Sequence, residues 1–255
     1  PERTYRAPSE IDQRIAELVV NEIPDGAVLS LGVGTVPFAI ASALADSDKK
    51  DLGCHTGTIS DAYQKLYLAG KLTNARKEFD TGLSSFNLAM GSAAFYDWLR
   101  ENPKLFRPDS IDYIHDPARI GKLSRVISIN GGVQVDLMGQ ENAESANGMQ
   151  LSGIGGQMDF LEGAFRSEGG CGYICINSSR LTKDGVRKSN ILPFIPGGST
   201  VSAPRTLIEA VATEYGIAHL AGKSLAERRE AMIAIAHPDF RDALRSEKPD
   251  LSRFL

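Results

Sequence analysis

The stretch from Asp25 to Leu44 most constrains how this chain can fold. Asp25-Gly26 is a turn pair and residues 27–31 are a short, mostly apolar run. Gly32-Val33-Gly34-Thr35-Val36-Pro37 is a glycine-bearing loop, and residues 38–44 read as a helix, with Pro37 suited to its first turn. An apolar run bounded by turn residues reads as a strand buried on both faces, which belongs in a parallel sheet covered by helices. The unit recurs. Residues 52–56 read as a strand and 60–68 as a helix capped by Ser60 or Asp61. A helix over 89–100 stops before Asn102-Pro103, and 124–130 and 133–138 are strand-like around Gly131-Gly132. Residues 170–177 and 208–213 read as further strands, the second before a Tyr215-Gly216 turn. Ser9 and Ser224 cap helices ending near Ile23 and Ala236. Alternation without a repeat or long linker predicts one α/β domain, an open mixed or mostly parallel sheet with helices on both faces. Ligands of such sheets bind beyond the carboxyl ends of the strands, so the loops after Leu31, after Thr56 and around Gly155 are the places to look.

A chain of 255 residues can bury a large single core. A net charge of −4 gives no electrostatic reason to expect nucleic acid. No run approaches the roughly 20 apolar residues of a membrane span, and no signal peptide is visible, so no membrane partner and a cytoplasmic location are expected. The three cysteines, Cys54, Cys171 and Cys175, are an odd count without a disulfide framework. Cys171 and Cys175 fall on one face of a predicted strand and are expected to be small core residues. No CxxC or HExxH spacing occurs, so no metal is expected. The sequence starts at Pro1 without a methionine, which leaves its true start open.

Ser152-Gly153-Ile154-Gly155-Gly156 leaves bare backbone ahead of an apolar, helical segment through Phe160, Leu161, Ala164 and Phe165. Such a loop suits an anion or a developing oxyanion, although a tight turn between packed elements would look the same. The first glycine loop also invites a dinucleotide reading, with Asp51 about twenty residues on. Its third glycine position, however, is Pro37.

Seven ordered stretches carry a resemblance: residues 32–37, 52–56, 134–145, 153–160, 212–218, 220–224 and 235–241. Through them the chain resembles the acetyl-CoA hydrolase/CoA-transferase family, and in it the C-terminal domain of two-domain enzymes such as the 4-hydroxybutyrate and succinyl-CoA:acetate CoA-transferases. The likeness covers nearly the whole of residues 1–255. It implies a class I CoA-transferase-like, Rossmann-like fold, with acyl-CoA and a small carboxylate as substrates and coenzyme A as the carried group. It implies ping-pong chemistry in which a glutamate attacks the thioester and passes through an anhydride to a glutamyl–CoA thioester. Oxyanion donors are implied at Val33 and at Gly155 or Gly156, in loops completed by Gly32, Gly34 and Gly153. It also implies an amino-terminal domain that this chain lacks. The chain is then a piece of a longer protein or one subunit, expected to form a homo-oligomer or to associate with an N-terminal-type domain.

Two departures from the family's pattern stand out. The glutamate belongs directly after the His55-Thr56 pair, where this sequence has Gly57, and an asparagine of an AsnAspPro segment is His115 here. By the period of two, His55 and position 57 share a strand face, so His55 is a candidate general base for water in the vacated slot, or a structural residue. Histidine exchanges protons near neutral pH, so His115 is a candidate to orient water or polarise a carbonyl, or simply fills the asparagine's space. Glu144 and Glu214 are expected to be structural, and Glu141 to face water in a Gln-Glu-Asn turn. Ser60 and Ser152 lack a partner base. His219 is expected at the surface, and His237-Pro238 between two helices. Arg119, Lys223 and Arg205 are candidates for the CoA phosphates, and Phe86, Phe95 and Trp98 are pocket walls or core. The first functional reading is an acyl-CoA hydrolase or atypical CoA-transferase of short-chain carboxylate metabolism that lacks the glutamate nucleophile. The alternative is a non-catalytic CoA-binding or subunit-interaction domain.

Overall fold

Eight strands form the central sheet of the computed structural model, which describes Glu2 and residues 6–247. Their spatial order is Gly216–His219, Ala210–Thr213, Cys171–Cys175, Val126–Gly131, Val28–Leu31, Gly53–Ile59, Ser84–Ala89 and Phe106–Pro108. Neighbours pair in parallel, except for the antiparallel hairpin of the first two at one edge. The chain steps outward from Val28–Leu31 through three strands, then returns to its other side with Val126–Gly131. The strand order therefore reverses between these two strands, and the crevice above such a reversal is where open α/β sheets hold ligands.

The strands alternate as period two requires. Leu29, Leu31, Cys54, Ile127 and Tyr173 pack with residues of the helices Glu10–Glu22, Thr35–Asp46 and Asp61–Leu68. Val28 and Val126 instead meet Phe160 and Ala164 of the helix Gln157–Arg166. Ile174 and Val211 pack with Leu161 and with Met232 and Ile233 of the helix Leu225–Ala234. Cys175 is buried in the same core as Cys54, and Cys171 packs against it, as the strand reading required.

Local signals set the helix ends. Ser9 and Ser224 both form capping boxes, with Asp12 and Glu227 closing them. His237 caps the helix Pro238–Ser246, so His237-Pro238 does separate two helices. The strand expected over 133–138 does not join the main sheet. Gln134–Asp136 pairs instead with Glu141–Asn142 and Ile191–Leu192 in a small sheet of its own, because Gly131-Gly132 ends the preceding strand. This corrects the placing of Glu141. It is not a solvated turn residue but a fully buried one, its backbone held between Val135 and Ala203. Among the described residues no helix is long and apolar enough to cross a membrane, and no three His, Cys, Asp or Glu side chains gather as a metal site.

Candidate active site

A cleft of about 490 Å3 opens at the carboxyl ends of the strands on either side of the reversal. It gathers Gly32 and Val33 after the first strand, Gly57 within the second, His115, and Gly155, Gly156 and Gln157 at the second glycine loop. Gly34 and Gly153 are outside the lining. Gly34 instead caps the helix Thr35–Asp46, and Gly156 caps the helix Gln157–Arg166. Two helix amino ends therefore flank the cleft, which favours negative charge there. Gly155 has φ 63°, a conformation that glycine adopts without strain. The strand end before Val33 is pinned by buried Tyr63, whose hydroxyl accepts from Leu31 N at 2.8 Å and donates to Leu29 O at 3.3 Å.

His115 stands over Gly57, the position where the glutamate is expected. A Cβ on Gly57 would sit 2.9 Å from His115 Nε2, and one on Gly156 would sit 2.1 Å from His115 Cε1. Both glycines are thus bare where the imidazole lies against the backbone. The ring's Nδ1 is 3.1 Å from Asp159 Oδ2, and its edge meets Phe160 at 5.0 Å between centroids. With Nδ1–H donated to the carboxylate, Nε2 is left as an acceptor beside Gly57. Sequence reasoning does not find Asp159, which marks only the start of an apolar segment there. It is 44 residues from its partner, and nothing local announces the pairing.

His55 has a different place. It is fully buried, does not line the cleft, and donates Nε2–H to Ile114 O at 2.9 Å. Its Nδ1 has no partner, and burial pushes the ring down to about 4, so it stays neutral. The strand does put His55 on the same face as Gly57, but its ring packs edge-on against Phe79 at 5.8 Å and against Phe160 at 6.4 Å, buried outside the cleft lining. It holds the residue before His115.

Other expectations resolve plainly. Arg119 stacks over Tyr113, 4.0 Å from its centroid, while Arg205 and Lys223 are exposed outside the cleft. Among the described residues no Lys or Arg lines it. Phe86, Phe95 and Trp98 belong to the core. Asp51 pairs with Arg76 at the amino end of its strand, the wrong end for a dinucleotide ribose. Glu144 accepts from Ser202 Oγ and Gln150 Nε2, and Glu214 from Ser178 N and Oγ. His219 is exposed and faces Glu22.

The family described as acetyl-CoA hydrolase/transferase C-terminal domain matches residues 91–248. Butyryl-CoA:acetate CoA-transferase of Anaerostipes caccae is 44% identical over 93% of this chain and 53% of its own length. An acetyl-CoA hydrolase of Yarrowia lipolytica is 31% identical over 89% of this chain and 42% of its own. The crystal structure of RipA from Yersinia pestis superposes with a TM-score of 0.88 at 37% identity, over 96% of this chain and 54% of that one. The chain thus spans about half the length of the curated transferases it matches. With the two glycine loops brought together at the strand reversal and these relatives alongside, the chain belongs to the acetyl-CoA hydrolase/transferase family and carries its C-terminal domain.

Proposed function

We propose that this chain acts on acyl-CoA thioesters by hydrolysis, with His115 in the place of the family's glutamate. The observation that carries this reading is the His115–Asp159 pair, whose free Nε2 lies where a side chain on Gly57 would begin. A glycine offers no nucleophile, so the attacking group is water. His115 Nε2 takes a proton from the water as its oxygen bonds to the thioester carbon. The carbonyl electrons move to oxygen, where the N–H groups of Val33 and of Gly155 or Gly156 receive them. Collapse of this intermediate breaks the C–S bond, and the proton on His115 goes to the leaving CoA thiolate. The products are a free carboxylic acid and CoA. Asp159 keeps the imidazole in the tautomer that the first step needs.

The test is release of free thiol from acetyl-, butyryl- and succinyl-CoA, with and without added carboxylate. Turnover is expected, and His115→Ala should lower kcat by roughly 10²-fold or more with KM little changed. Asp159→Asn should cause a smaller loss in the same parameter. Absence of both CoA release and exchange with carboxylates would overturn the reading.

A second reading has its own support. Val33, Leu88, Ile111 and Ile154 line the cleft and are each about half exposed, an apolar rim suited to cover by another domain or subunit. On that reading the chain binds CoA in a larger assembly. Calorimetric CoA binding without turnover, even when the N-terminal region of a transferase relative is supplied, would favour it.

A further inference from the structure

The second glycine loop has little of its own to hold it. A Cβ at Gly153 or Gly155 would meet nothing within 4 Å, and Leu151 and Ile154 are exposed. Gly156 packs against His115, and the loop is otherwise held at its two ends. At the entering end, Leu151 N donates to Glu144 O at 2.7 Å. There Gln150 Nε2 also bridges Glu144 Oε2 and Ser152 O, both at 2.8 Å. At the leaving end, Gln157 is the first residue of its helix and lines the cleft, and its Nε2 donates to Glu141 Oε2.

Glu141 is an unusual group to bury. It is fully buried on its small sheet, and its Oε1 has no hydrogen-bond partner. The space for that oxygen exists because residue 132 is glycine: a Cβ there would lie 2.6 Å from Oε1 and 3.1 Å from Ile176 Cγ2. An apolar side chain could fill such a site at less cost, since an incompletely paired buried carboxyl is unfavourable. Burial first, and then the neighbouring Glu144, push Glu141 up to about 8, so near neutral pH it is largely a neutral acid that still accepts from Gln157.

We infer that Glu141 is a positioning residue for the reaction: through the Gln157 side chain it fixes the leaving end of the glycine loop, and with it Gly155 and Gly156, which line the cleft. The kinetic part of this inference rests on the hydrolytic reading above; the structural part does not. Glu144 holds the other end in the same way, so the loop is strung between two side chains of one buried segment.

The experiment uses protein labelled with 15N-glycine, in wild type, Glu141→Leu, Glu141→Gln and Gln157→Ala. Glu141→Leu and Gln157→Ala should each shift the Gly155 and Gly156 amide resonances while leaving Gly26 and Gly70 in place. Glu141→Gln, which can still accept from Gln157, should restore them. In thioester hydrolysis, Glu141→Leu should lower kcat by about tenfold or more with KM within about twofold, and Glu141→Gln should recover most of it. Unmoved Gly155 and Gly156 resonances in folded Glu141→Leu or in Gln157→Ala would overturn the inference. If Glu141→Leu does not fold, Gln157→Ala decides the matter from the other side of the bond. If wild type hydrolyses no thioester, the hydrolytic reading fails, while the resonance shifts still decide whether Glu141 positions the loop.

Discussion

At the residue scale, Gly57 and His115 form one unit. A Cβ at 57 would fall 2.9 Å from Nε2, closer than side-chain carbons approach neighbours, so a glutamate there and the present imidazole cannot share the space. Gly57→Glu alone is expected to push the ring off Asp159 and to lose thioester hydrolysis. Gly57→Glu combined with His115→Asn makes room, and should return the chain to covalent chemistry. Intact-protein mass spectrometry after incubation with acyl-CoA should then show the added mass of CoA as a glutamyl thioester. A folded double variant that takes up no CoA would mean that position 57 has been wrongly matched to the nucleophile. His55 belongs to this scale as well. Its hydrogen bond to Ile114 O fixes the backbone immediately before His115.

At the scale of elements, the placing of Val33, the proposed oxyanion donor, depends on how the strand Val28–Leu31 ends. Tyr63, on the helix Asp61–Leu68, satisfies Leu31 N and reaches Leu29 O from within the core. Tyr63→Phe keeps the ring packing but leaves a buried N–H unpaired, which should cost about 1–3 kcal/mol in urea unfolding. It should also reduce turnover, because Gly32 and Val33 follow directly. Unchanged stability would mean that the strand end is held by other contacts. The same helix begins after Ser60, as its sequence suggests, although the Ser60 hydroxyl makes no cap bond, and this places Tyr63 beneath the end of the first strand.

At the scale of the whole molecule, buried ionisable groups set how stability varies with pH. The carboxyl of Glu141 is raised from 4.5 to about 8, so the folded state keeps a proton that the unfolded chain has released. Its contribution is full below pH 4.5 and is lost as the pH rises through about 8. His55 has the opposite sign: lowered from 6.5 to about 4, it contributes above pH 6.5 and is lost as the pH falls through about 4. Of these two, only Glu141 titrates differentially between pH 6.5 and 8. Unfolding free energy should therefore decline across that window by at most about 1.4 kcal/mol per pH unit. Glu141→Gln should flatten the decline. The same slope in wild type and variant, by urea titration at several pH values, would show that Glu141 ionises normally.

The sequence by itself determined the α/β layering, the two glycine loops and the glycine at position 57. Each is a local property, carried by apolar runs of period two or 3.6, by glycine and proline placement, and by residues adjacent in the chain. It could not determine that His115 lies over Gly57, that Asp159 pairs with it, or that His55 is buried outside the cleft lining. Those depend on the strand reversal, which brings residues 57, 115 and 156 into contact. Nor could it see Glu141 as buried: a Gln-Glu-Asn run is polar whether it faces water or not. Only the packing of Gly132, Ala203 and Gln157 around it decides that the carboxyl is enclosed, because burial is a property of the assembled layers and not of any one segment.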